Sequence, residues 1–385
     1  MTPETLARLT SLRHKLHQSP EISGEEKNTA AQIAELLEQH SPDRILKDIG
    51  GHGIAAVFDS GQAGPTVGIR CELDGLPIQE ISDAPYVSRI PGKGHLCGHD
   101  GHMTMVLGVA EALGKSRPPN GKVVLIFQPA EETGQGAIAY RADPKFAEIA
   151  SDYMFSLHNL PGLDLGEVEL CQGPANCASR GMRIVLKGKT SHAAAPQDGV
   201  SPAGALSQLI PVLADLGKGG ALDADFALTT VTHASLGEAT FGIAPGHAEL
   251  WVTLRTVFDN RMSRLIQDAE NLVQSVAKSE GLAVDITYED IFEACTNNAD
   301  ATEVLAQACA TQSVPYQLVL EPQRFSEDFG QFGKGAKSAM FWLGSGKDHP
   351  QLHNPDYDFP DALIPIGTGI FLSAIEQVLG GDLRA

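Results

Sequence analysis

The amino-acid sequence predicts an α/β protein in which a smaller ferredoxin-like α+β domain is inserted into a larger α/β domain. Three observations carry that expectation. Short apolar runs alternate with helical stretches towards both ends of the chain. The middle of the chain changes period, from continuous apolar runs to alternation of apolar and polar residues. The order of elements in that middle stretch is β-α-β-β-α-β, the signature of a ferredoxin-like unit.

Taken in order, Thr2 and Pro3 suit the cap and first position of a helix, and Leu6, Leu9, Leu12 and Leu16 recur near helical spacing until Pro20. A second helical stretch covers 25–40, and the runs 54–58, 67–71, 123–127 and 154–157 read as strands. Met182, Ile184 and Leu186 then alternate with polar residues, as do Ala248, Leu250, Val252 and Leu254, the pattern of half-exposed strands. The order there is strand 181–187, helix 200–217, strands 226–234 and 247–257, helix 260–279 and strand 283–289. The second of these helices has an apolar stripe of Met262, Leu265, Ile266, Ala269, Leu272, Val273 and Val276. Alternation of the first kind resumes at 301–311, 339–343 and 364–378. The large domain is therefore expected at 1–176 and 292–385, with the insertion at 177–291.

A chain of 385 residues with 42% hydrophobic composition can bury enough core for two domains. Lys and Arg total 28 against 48 Asp and Glu, and the difference, 28 − 48 = −20, is an acidic surface that repels nucleic acid and anionic lipid. Neither is expected as a partner. The segment from Met1 to Leu6 is polar, and no apolar run approaches the roughly 18 residues that span a bilayer, so the expected address is cytoplasmic. Six cysteines (Cys71, Cys97, Cys171, Cys177, Cys295, Cys309) are too scattered for a disulfide scaffold and read as reduced thiols. Five of them read as small buried hydrophobes, whereas Cys97 stands among histidines.

That neighbourhood, His95-Leu96-Cys97-Gly98-His99-Asp100-Gly101-His102, is the densest chemistry in the chain. Thiolate and imidazole suit zinc and other borderline divalent ions, and a glycine between two ligands lets both face one point. The plainer alternative is a polar loop with incidental histidines. A second element, Gln128-Pro129-Ala130-Glu131-Glu132-Thr133-Gly134, follows an apolar strand directly, at the end where open α/β sheets bind ligands. Adjacent carboxylates point in different directions, so one can bind metal while the other moves protons. His158 and His353 are single histidines, which taken alone are more often structural.

Together these segments resemble the amidohydrolases of the M20 peptidase family, in the branch of aminoacylases, hippurate hydrolases and auxin-conjugate hydrolases. The likeness includes Leu12-Arg13-His14 with Pro20-Glu21, Glu72-Leu73-Asp74-Gly75-Leu76-Pro77, the two motifs above, and Leu157-His158-Asn159. It continues through Gly188-Lys189-Thr190-Ser191-His192-Ala193-Ala194, Ser326-Glu327-Asp328-Phe329 and Leu352-His353-Asn354. The resemblance implies two divalent metal ions (Zn, Mn, Co or Ni) bound by Cys97, His99, Glu132, His158 and His353, with Glu131 as general base. It also implies that His192, on the lid domain, helps bind the substrate carbonyl and oxyanion, and that Arg255 binds substrate. The implied reaction is hydrolysis of a small-molecule N-acyl-L-amino acid. A dipeptidase or an N-carbamoyl-amino-acid amidohydrolase is the alternative, and a homodimer through the lid sheet edge is the implied assembly.

Two positions depart from the family pattern. Gly242-Ile243-Ala244-Pro245 stands where many relatives have Asn-Val-Ile-Pro, which removes a substrate-contacting amide, and Gly75 stands where relatives often carry Ala. Two rival readings remain open on the residues alone. One is a thiol hydrolase using Cys97 and His99, and the other is a metal- or solute-binding protein without catalysis.

Overall fold

The computed structural model describes residues 1–383, which divide into two compact units. Among the described residues, the first comprises 1–175, 295–320 and 328–383, and the second 176–294 with 321–327.

The first unit begins with helices α1 (Pro3–His17) and α2 (Lys27–Glu38) and strands β1 (Arg44–Ile49), β2 (Gly53–Asp59) and β3 (Thr66–Glu72). Then come α3 (His99–Lys115), β4 (Lys122–Gln128), α4 (Gly136–Ala142), β5 (Tyr153–Pro161), β6 (Val168–Cys171) and the short β7 (Gly173–Asn176). The second unit carries β8 (Ala178–Lys187), β9 (Ser191–His192), α5 (Ala203–Ala214), β10 (Ala227–Leu236), β11 (Ile243–Ala244), β12 (His247–Thr256), α6 (Asp259–Ser279) and β13 (Ala283–Phe292). The chain returns to the first unit with β14 (Cys295–Asn297), α7 (Ala299–Thr311), β15 (Tyr316–Val319), β16 (Lys337–Gly346) and α8 (Leu363–Leu379).

The large unit is built on an eight-stranded mixed sheet in the order β1-β2-β4-β3-β5-β16-β6-β15. Its central strands β3, β4, β5 and β16 run parallel to their neighbours in that set and are buried along nearly their whole length, because helices cover the sheet. Helix α3 is buried almost all round, and α8 nearly so. Helix α1 is capped by Thr2, whose hydroxyl accepts the Thr5 N–H at 3.2 Å, and it buries Leu9, Leu12 and Leu16. The same buried face also carries Arg13 and His17. Strands β1, β6 and β15 lie outside the sequence expectation. They are four to six residues long, and β1 and β15 leave most of their side chains exposed or half-buried, so neither shows an apolar run.

The second unit is a four-stranded antiparallel sheet in the order β10-β12-β8-β13, with α5 and α6 packed on it, which is the ferredoxin-like arrangement. Alternate residues of β8 and β12 are buried, and with Met262, Leu265, Ala269 and Val273 of α6 they form a core of their own. All six cysteines are buried free thiols. Among the described residues, no helix is long and apolar enough to cross a membrane.

Ile184 sits fully buried on β8, between its two neighbours in the smaller sheet. Ile184→Ala is expected to destabilise that unit by about 2–5 kcal/mol, read from denaturant unfolding. A loss well under about 1 kcal/mol would mean that this position is not part of a close-packed core.

Candidate metal centre

The carboxyl ends of three neighbouring parallel strands converge on one place. The chain runs from β3 to β4 on one side and then crosses to β5 on the other, which creates the kind of switch point where open sheets bind ligands. Asp74 lies just beyond β3, Glu131 and Glu132 just beyond β4, and His158 near the end of β5. Cys97 and His99 arrive at the start of α3, and His353 arrives on the loop between β16 and α8.

These side chains meet in overlapping groups. The ligand atoms of Cys97, His99 and His158 lie within 4.8 Å of one another, as do those of Cys97, Glu132 and His353, and those of His99, Glu131 and Glu132. His99 donates its Nδ1–H to the backbone oxygen of Asp74 at 2.8 Å, and the Asp74 carboxylate is farther from that nitrogen, at 3.6 Å. His158 likewise donates Nδ1–H to its neighbour's carbonyl, Asn159 O, at 2.8 Å. In each ring Nδ1–H is committed to a carbonyl, so Nε2 is the nitrogen that faces the centre and the one a metal would bind. His158 Nε2 faces Cys97 Sγ at 3.3 Å. His99 Nε2 is buried with no hydrogen-bond partner, 3.9 Å from an oxygen of Glu131 and 3.9 Å from one of Glu132. A buried nitrogen held so close to carboxylates without a hydrogen bond fits a divalent ion between them, and the thiolate, imidazole and carboxylate donors fit the same.

Unusual backbone delivers these side chains. Gly98 caps α3 at φ +94°, and a Cβ there would stand 2.3 Å from Asn159 Oδ1, so only glycine allows both the turn and the close approach. Ala130 has φ +51°, and its N–H is held by Glu26 Oε1 at 2.8 Å while the Glu132 N–H donates to Asp74 Oδ2 at 3.0 Å. His353 has φ +66° and donates its N–H to Leu96 O at 2.8 Å, which sets it beside Cys97. Left-handed conformations at non-glycine residues cost energy and cluster where function demands them. His353 Nε2 is 3.5 Å from Glu132 Oε2, and its side chain keeps 49% of its exposure.

The charge around these atoms is strongly negative. Burial alone would lower the His99 imidazole, but the Asp74 carboxylate and the charges of Glu72 and Glu132 raise it to about 10. Burial first, and then Glu132 and Glu131, push the Cys97 thiol well up. A cysteine nucleophile needs the opposite shift, so the thiol-hydrolase reading loses its support. Burial and the charges of His102 and His99 push His158 well down, which keeps it neutral and able to coordinate.

His102, in the same sequence cluster, forms a further group with Glu72 and His99 whose ligand atoms lie within 4.8 Å of one another, but both its ring nitrogens have side-chain partners. Its Nδ1 is bound to Glu72 Oε2 at 2.7 Å and its Nε2 to Asn159 Oδ1 at 2.5 Å. Glu72 is in turn held by Arg70, whose Nη2 donates to Asp328 Oδ1 at 2.6 Å. The supporting roles of Asp74, Glu72, Arg70, Asp100 and Arg13 escape a reading by residue type alone. The available signal was a charged residue on an apolar helix face, as at Arg13.

His192 and Arg255 both lie on the second unit. His192 is exposed on β9, opposite Ile243 of β11, and its Nδ1 accepts the Ala194 N–H at 3.0 Å. Arg255 is half-buried on β12, with Nη1 donating to Arg324 O and Ser326 Oγ, each at 3.1 Å. Gly242 has open space where a side chain would stand.

Over residues 68–377 the chain matches the profile of peptidase family M20/M25/M40. It is 30% identical over 358 residues to a hippurate hydrolase of Campylobacter jejuni, covering 92% of each chain. It is 27% identical over 374 residues to an N-acetylcysteine deacetylase of Bacillus subtilis, covering 97% of each. Among solved structures it resembles the YxeP protein of Bacillus subtilis, a dinuclear metal-binding peptidase of the M20 family. The TM-score is 0.83 at 24% identity, over 99% of this chain and 100% of that one, a likeness of fold.

Behind the centre, His17 donates Nδ1–H to Asp100 Oδ2 at 2.9 Å and Nε2–H to Glu80 Oε1 at 3.1 Å. Burial alone would lower this imidazole, yet Asp100 and then Glu80 raise it from the ordinary 6.5 to about 10. The folded chain binds this proton more tightly than the unfolded chain. Its stabilising effect is therefore complete below pH 6.5 and is lost as pH rises through about 10. His17→Gln should flatten the fall in melting temperature across that window. An unchanged slope would show that His17 does not hold the proton.

Proposed function

Because the chain belongs to peptidase family M20/M25/M40, we propose that it cleaves the amide bond of N-acyl-L-amino acids at a two-ion centre held by Cys97, His99, Glu132, His158 and His353. By class it is an amidohydrolase. The observation that carries the proposal is the buried His99 Nε2, without a hydrogen bond, facing Glu131 and Glu132 beside Cys97 and His158. The hippurate hydrolase and N-acetylcysteine deacetylase relatives favour N-acylated amino acids over dipeptides and N-carbamoyl amino acids. In this reading Cys97 serves both ligand groups, one completed by His99 and His158, the other by Glu132 and His353.

Divalent ions (Zn, Mn, Co or Ni) supply, when bound, acidification of water and positive charge for a developing oxyanion. The remaining steps belong to the chain. Glu131, at 5% exposure and next to His99, takes the proton of the attacking water. As the new C–O bond forms and the amide C–N bond breaks, Glu131 returns that proton to the departing amine nitrogen. Since Nδ1 of His192 accepts a backbone N–H, a neutral ring carries its proton on Nε2. That N–H is the donor proposed for the substrate carbonyl oxygen. Arg255 supplies a cation for the amino-acid part of the substrate, and the open space at Gly242 widens what that part can be. Strand β10 is an edge of the smaller sheet, where a second copy of the chain would pair in the proposed dimer.

Glu131→Gln is expected to keep the metal content of the purified protein and to lower turnover at least about a hundredfold. Retained activity would remove Glu131 from its role. Against a panel of N-acyl-L-amino acids, dipeptides and N-carbamoyl amino acids, the metal-loaded protein should prefer the first group and lose activity to chelators. No hydrolysis of any N-acyl amino acid would overturn the substrate class.

A further inference from the structure

Arg13 touches none of the five proposed ligands, yet it is bonded to the segments that carry two of them. It lies on α1 with no solvent exposure. Its Nη1 donates to Asp100 Oδ2 at 3.2 Å and to Asp358 Oδ1 at 2.7 Å, and its Nε donates to Asp361 Oδ1 at 2.6 Å. Asp100 follows His99 at the start of α3, whereas Asp358 and Asp361 stand in the loop that leads from His353 to α8. The guanidinium also lies over the Tyr86 ring, 4.7 Å from its centre, and the Tyr86 hydroxyl donates to Asp358 Oδ2 at 2.6 Å.

The two ends of this bridge are held to different degrees. His99 is fixed by burial, by the helix and by its bond to Asp74. His353 is half-exposed, its backbone is left-handed, and its local anchor is one N–H bond to Leu96. Its place depends on the loop, which Tyr357 and Phe359 bury and the Ile81 N–H holds through Pro355 O at 2.8 Å, and whose Asp358 and Asp361 carboxylates tie it to α1. A buried guanidinium is a poor stability device, because its desolvation offsets much of what its partners contribute. A planar fork with donors at fixed angles is a good ruler, and a lysine ammonium cannot reproduce it.

We propose that Arg13 is a positioning residue for one ion of the pair: it fixes the His353 loop against the start of α3, so that Cys97, Glu132 and His353 can share an ion separate from that of Cys97, His99 and His158. The inference rests on the two-ion reading of the centre.

The test is stepwise zinc titration of the metal-free protein against a chromophoric chelator, with circular dichroism to confirm folding. The wild type should take up two ions. Arg13→Lys should bind one ion as the wild type does and the other about tenfold or more weakly, and it should resemble His353→Asn in which ion it weakens. Asp361→Ala removes the loop-side carboxylate that Arg13 Nε and His14 Nε2 share and should give the same selective loss, so it decides the matter if Arg13→Lys does not fold. Wild-type affinity for both ions in these variants, or equal weakening of both ions, overturns the proposal. A wild type that holds fewer than two ions overturns the two-ion reading, and this inference with it.

Discussion

A histidine in a dry interior has two nitrogens to satisfy, and the architecture of the centre follows from how His99 and His158 divide theirs. Each gives Nδ1–H to a main-chain carbonyl, Asp74 and Asn159 respectively. That choice fixes the ring planes and leaves Nε2 of both rings facing the thiol of Cys97, with Nε2 of His99 also facing Glu131 and Glu132 beyond β4. The carbonyls are set by strands of the central sheet or by the turn just after one. The positions of these rings are therefore as rigid as the sheet itself.

Charge is arranged in shells around that arrangement. Closest in are carboxylates, with Glu131, Glu132 and Asp74 around His99. Farther out are cations that each answer to several acids: Arg70 binds Glu72 and Asp328, and His17 joins Asp100 to Glu80. Gln128 and the Ala137 N–H complete the satisfaction of Asp328, at 2.7 and 2.9 Å. The outer acids are neutralised by the protein, while the inner ones keep a surplus of negative charge that suits a divalent ion. That gradient explains why a buried thiol and a raised imidazole coexist within one cluster.

Much of this is readable from the chain itself. Strands buried on both faces announce themselves as apolar runs, as at β2 and β4, and the change to alternation at β8 and β12 marks the inserted unit. Cys97 and His99 stand two residues apart and are conspicuous by local density, and Glu131 and Glu132 by following β4. His158 and His353 carry no such signal, since a single histidine has none, and only the ordered set of motifs points to them. Their meeting with Cys97 depends on β5 lying beside β3 and on one left-handed residue, facts of long-range pairing that no local pattern encodes. The supporting acids and arginines are harder still, because a charged residue on an apolar face reads as the edge of a stripe until its partners are known.

The short strands β7 and β14 pair with each other where the chain leaves the large unit and where it comes back. An excursion that departs and rejoins through adjoining strands is, for the host sheet, a closed loop whose length hardly matters: doubling it adds only about 0.6 kcal/mol of closure entropy. A lineage carrying this scaffold is thus free to lengthen, exchange or decorate what hangs between those strands. The large unit with its central sheet can stay constant while the inserted unit is rewritten.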